Sequence, residues 1–182
     1  MSEEKVRLEL RAATQAMVKR FISDLYINNL KPQGFRRSGH SFTRAHPEYL
    51  ERIQIQGSSW NGLDSAPLIL RLQEARWQFF VNVAVRLTNV PVANGHFHAE
   101  CRIERLVDES EAIYELREAV FTPLVGRVAE HVAIASARLP ERLAEIGTFA
   151  AKGSLCPLLR SENENTEPCH ALDAQTTRAS DG

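Results

Sequence analysis

Residues 76–87 read RWQFFVNVAVRL, and this run constrains the fold more than any other. Trp77, Phe79, Val81, Val83, Val85 and Leu87 alternate with Gln78, Phe80, Asn82, Ala84 and Arg86. Successive side chains of a strand point to opposite faces, so a period of two gathers six apolar side chains on one side. Such a strand needs neighbours for its backbone groups and a second layer over its apolar face. Its mixed opposite face fits an antiparallel sheet covered on one side only.

Neighbouring strands are legible on the same grounds. YLERIQIQ places Tyr49, Ile53 and Ile55 on one face and Arg52, Gln54 and Gln56 on the other. RRSGHSFTRA predicts a short strand containing Phe42, and HPEY a tight turn. HFHAECRIERLV predicts a fourth strand, with Cys101, Ile103 and Val107 inward and His96, His98, Glu100 and Arg102 outward. GSSWNGLDSAP, with Trp60, is dense in turn residues. Leu68 to Leu72 suits a strand or a helical turn equally.

Elsewhere the period is helical. From Glu9 to about Asn29, Leu10, Ala13, Met17, Phe21, Ile22 and Leu25 form one stripe. ESEAIYELREAVF predicts a helix carrying Ile113, Leu116 and Val120, capped by Asp108 or Ser110. Pro123 breaks or restarts it. Leu124, Val128, Val132 and Ala135 mark a further helix, Pro140 opens another helical turn, and Gly147 ends it. A last apolar piece runs from Leu155 to Leu159. The expected fold class is a two-layer α+β domain: an antiparallel sheet of three to five strands, preceded by one helix and followed by helices over one face.

The 182 residues, with 43% hydrophobic and 25% charged, suit one globular domain. Its expected extent is 1–160. Residues 161–182 are polar and acidic and read as a disordered tail. With 22 basic and 23 acidic residues there is no global attraction to nucleic acid or an anionic membrane. Three widely spaced cysteines, Cys101, Cys156 and Cys169, make no disulfide framework. The charged start, MSEEKVRLEL, is unlike a signal peptide, and no apolar run reaches a membrane-spanning length. A cytoplasmic location is expected.

The corner LKPQGFRRSGHSFTR carries a resemblance. A helix end, Leu30, the pair Gly34 and Phe35, then Gly39, Phe42 and Arg44 follow in that order. Ile53, Ile55 and Gln56 follow on the next strand, and Phe79, Phe80 and Asn82 on the long one. In these features the chain resembles the bacterial proteins grouped as domain of unknown function 4304, over roughly residues 10 to 107. The resemblance implies no activity.

Among the candidate sites, the polar sheet face comes first. Gln54, Gln56, Asn82 and Arg86, with Phe80 and Arg44, offer amides, guanidinium groups and an aromatic anchor to a partner. His96 and His98 are metal-ligand types, but His96, His98 and Glu100 at alternate strand positions span about 13 Å, too far for one ion. Lys31, Arg36, Arg37, Arg44 and Arg52 make a basic cluster, offset by Glu48 and Glu51 and lacking a phosphate-binding loop. Cys169 and His170 fall in the tail, no serine lies in a nucleophile elbow, and no HExxH pattern occurs. The sequence favours a non-catalytic protein-interaction or binding module, with no cofactor and another protein as partner. A small-molecule-binding protein or enzyme using the same face, and an accessory structural domain, stay open as alternatives.

Overall fold

A computed structural model describes residues 3–58, 74–92, 96–107 and 113–151. Trp60, Leu68 to Leu72, Asp108, Ser110, the Leu155 to Leu159 piece and the acidic tail lie outside these residues.

Helix α1 spans Glu3–Leu25 and runs on through a π-helical turn, Tyr26–Leu30, and a 3-10 turn, Lys31–Gln33. Its second half buries Met17, Phe21, Ile22 and Leu25, whereas Ala13, expected on the same stripe, is exposed. Among the described residues six strands follow: β1 (Arg36–Ser38), β2 (Ser41–Ala45), β3 (Tyr49–Gly57), β4 (Trp77–Leu87), β5 (Ala99–Arg102) and β6 (Tyr114–Leu116). The short helix α2, Glu104–Val107, separates β5 from β6, and the long helix α3 spans Phe121–Ala151.

All strand pairs are antiparallel, in the order β1-β2-β3-β4-β5, with β6 also paired to β4. Strands β5 and β6 share one edge of β4, β5 beside Asn82–Val85 and β6 beside Trp77–Phe79. Helices α1 and α3 touch each other and cover one face of this sheet. Phe21 of α1 packs against Phe79 of β4 with ring centroids 5.2 Å apart and meets Phe121 of α3 edge-on at 6.2 Å. Phe79 is also stacked between Trp77, at 4.8 Å, and Tyr114, at 5.2 Å. The expected α+β class holds, with six strands among the described residues, more than the three to five expected.

Three elements depart from the sequence reading. Tyr114–Leu116 is a strand, not helix, because Tyr114 and Leu116 alternate inward against Phe79 and Trp77. The expected fourth strand stops at Arg102, and Ile103 N–H then donates to Val81 O at 2.8 Å before the chain turns into α2. Helix α3 passes through both Pro140 and Gly147 without ending. Proline removes one helical N–H donor, but Leu139 and Ile146, fully buried on either side of Pro140, hold the helix to the body.

The three-ring stack centred on Phe79 joins both helices to the sheet. Phe79→Ala should lower unfolding free energy by about 3–5 kcal/mol, read as a fall in the urea midpoint with an unchanged slope.

Candidate functional site

The corner LKPQGF is built by main-chain geometry. Gly34 sits at φ +89°, the left-handed region glycine tolerates, and its N–H donates to Lys31 O at 3.0 Å. Phe35 N–H then returns to Leu30 O at 3.2 Å, and both side chains are buried. Gly39, at φ +59°, turns β1 into β2. Leu30, Gly34, Phe35, Gly39 and Phe42 are therefore structural residues that together deliver β2 to the core, with Phe42 fully buried.

That delivery sets Arg44 directly across from Glu51 in the β2/β3 register. Directly opposed residues share a face, and this pair points to the helix-covered side with Phe42 and Ile53. Glu51 is fully buried. Arg44 Nε and Nη2 donate to its Oε2 at 3.0 and 2.8 Å, and His46 Nε2 donates to the same oxygen at 3.2 Å. Ser136 Oγ of α3 donates to Oε1. Arg44 also donates to Gln33 O at 3.3 Å and lies 4.5 Å above the Phe35 ring. His46 stacks on Tyr49 at 4.2 Å. Burial first, and then the charge of Glu51, pushes the Tyr49 phenol above its ordinary range.

The outward face has different chemistry. Gln54 stands opposite Asn82, Gln56 opposite Phe80, and Leu50 opposite Arg86. Gln54, Gln56, Phe80, Asn82 and Arg86 thus share one face, while Arg44, grouped with them from the sequence, lies on the other. Arg44 separates from the group because it is one residue out of phase with Ser41 and Thr43, which face outward opposite Gln54 and Arg52. Asn82 Nδ2 donates to Gln56 Oε1 at 2.8 Å, and Asn82 is only 8% exposed. The Arg102 guanidinium lies 3.3 Å from the Phe80 ring centroid. Arg52 covers Phe97 at 4.0 Å and reaches Glu100 at 3.3 Å. Sequence pattern does not mark Phe97 and Arg102 as members of this face's site, nor Arg52 as more than part of a basic cluster. The parity of Arg52 and Arg102 is readable, but their ring partners depend on the β4/β5 register.

His96 is exposed, and His98 is buried away from it. His98 Nδ1 accepts the Leu87 N–H at 2.9 Å, so its proton sits on Nε2, which faces Pro91 O at 3.5 Å. Both ring nitrogens of His98 serve the backbone. Among the described residues no group of three histidine, cysteine or acidic side chains is placed to hold a metal ion. Cys101 is buried on the inner face of β5, and burial pushes its thiol up to about 12. At neutral pH it is a protonated core thiol rather than a nucleophile. No helix among the described residues is long and apolar enough to cross a membrane.

The fold and site define a helix-backed antiparallel sheet with a structured polar outer face. A family model, Domain of unknown function (DUF4304), matches residues 27–120, more than half of the chain, and the chain belongs to that family. The match begins at the π-helical turn, later than the resemblance suggested, and extends through β6 to the turn before α3. No curated protein and no solved structure matches.

Glu51→Gln should destabilise the fold by about 3 kcal/mol, because it leaves the Arg44 guanidinium half-buried without its counter-charge; chemical denaturation measures it, and adding Arg44→Met should recover part of the loss. A thiol whose folded pKa is raised stabilises the fold below its unfolded value, here 9.0, and that stability is lost as pH rises toward about 12. Unfolding free energy should therefore fall by about 1.4 kcal/mol per pH unit through that window, and Cys101→Ala should flatten this part of the profile.

Proposed function

We propose that this is a non-catalytic protein-interaction module of a bacterial cytosolic protein, and that the outward sheet face receives the partner. The observation that carries the reading is the pairing of Phe80 with Arg102 beside the Asn82–Gln56 hydrogen bond, on the side opposite α1 and α3. An aromatic ring, a stacked guanidinium and oriented amides together suit the centre of a protein interface, where arginine and aromatic side chains are enriched. Amides prefixed in one geometry lose little entropy on binding. His98 gives no support to a catalytic use of this face, because it is committed to backbone groups, and the Asn82 amide is satisfied by Gln56. A reducing compartment suits the buried free thiol of Cys101.

The test is site-specific photocrosslinking in the host. A p-benzoylphenylalanine in place of exposed Arg86, on the same face but outside the Asn82–Gln56 pair, should give one discrete protein adduct, and the same group in place of Ala133, exposed on α3, should not. Adding Phe80→Ala should weaken the adduct roughly tenfold, as expected for an interface anchor. Equal labelling from both positions, or none from position 86, would overturn the reading.

A further inference from the structure

Arginine gathers on the outer face of the sheet. Opposed residues of neighbouring strands share a face, which sets Arg36 in line with Thr43 and Arg52, and Arg102 in line with Asn82 and Gln54. Arg86 stands on the same face beside Leu87, the last residue of β4. Arg52 is paired with Glu100 at 3.3 Å. Arg36, Arg86 and Arg102 meet no carboxylate among the described residues, and the first two are exposed. Residues 59–73 and 93–95, which join these strands, carry Asp64 and Arg71, whose charges cancel. Strands β1 to β5 therefore give this face an excess of positive charge, and open guanidinium groups select carboxylates.

The last helix brings an acidic segment to the same end of the sheet. Helix α3 starts at Phe121 against Phe21, passes Glu51 at Ser136, and reaches Leu87 at Gly147, where an added Cβ would lie 3.9 Å from Leu87 Cδ1. It ends one turn later at Ala151, so the chain leaves the described body close to the end of β4 that carries Arg86. Farther on, residues 161–173, SENENTEPCHALD, hold Glu162, Glu164, Glu167 and Asp173 with no lysine or arginine among them. The link from Ala151 to Glu162 extends to at most about 40 Å. Five strands are about 19 Å across, so the guanidinium groups of the face are within reach. A second acidic run, residues 108–112, is anchored by β6 beside Trp77–Phe79, at the opposite end of β4 from Arg86.

We infer that segment 161–173 docks on the outer sheet face of its own chain and places carboxylates on Arg86 and Arg102. A tethered segment acts at a high effective concentration, so a few charge-assisted hydrogen bonds suffice to hold it. Docking there regulates the site, because a protein partner reaches Phe80 and Arg102 only by displacing the segment. That consequence rests on the interaction-module reading, whereas the docking itself rests on charge and chain geometry.

A nitroxide on Cys169 of the full chain tests it, with Cys156→Ser to remove the second site and Cys101 protected by burial. The label should quench the amide signals of Arg86 and Arg102 and spare that of Ala133, exposed on α3. About 1 M salt, which shortens the range of charge interactions to about 3 Å, should restore the quenched signals. The triple substitution Glu162→Gln/Glu164→Gln/Glu167→Gln should restore them too, and it leaves the core of the fold untouched. No quenching at the two arginines, equal quenching at Ala133, or quenching that survives both salt and the triple substitution would overturn the inference. Salt-sensitive quenching without a photocrosslinked adduct from position 86 would uphold the docking and sink only the module reading.

Discussion

The Glu51 carboxylate is fully buried, and the architecture at that end of the molecule follows from satisfying it. Removing a charge from water is unfavourable by several kcal/mol unless partners replace the water. Here the partners come from three places in the chain. Arg44 and His46 belong to β2 and the turn after it, Ser136 to α3, and Gln33 and Phe35 of the corner fix the far side of Arg44. The carboxylate therefore ties the hairpin, the corner and the last helix to one point. An apolar residue at position 51 would pack there without specifying which guanidinium or helix it meets.

The sheet is consequently two-sided in an uneven way. Its inner face is a core of aromatic and branched side chains with one ionic cluster at its end. Its outer face is polar but not merely solvated, since Ala84 is 1% exposed and Asn82 8%. Guanidinium groups laid over Phe80 and Phe97 shield the rings while keeping charge at the surface. The rigid inner layer holds the outer amides in register. Tyr114 shares this rigidity, set between Phe79 and His131.

Much of this is legible in the residues. Alternation locates β3 and β4 and the face each residue takes, including Gln54, Gln56, Phe80, Asn82 and Arg86. The same alternation puts Glu51 on the inner face with Tyr49 and Ile53, although parity alone says nothing of what a buried carboxylate meets. Tyr114–Leu116 reads as helix but forms a strand, since Ile113, Leu116 and Val120 fit a helical spacing as well as Tyr114 and Leu116 fit a strand. Three residues are too few for periodicity to decide. Pro140 and Gly147 are sound local stop signals that packing of Leu139 and Ile146 overrides.

The sequence by itself determined the α+β class, the faces of β3 and β4, the glycine-dependent corner and the absence of a charge bias, because these rest on period, on backbone sterics and on composition. Tertiary structure alone decided that Arg44, in phase with Phe42, meets the buried Glu51, that His98 serves the backbone, and that β6 joins the edge of β4. Each of those depends on register between segments far apart in the chain. A shift of one residue reverses which face a side chain takes, and no local pattern encodes that choice.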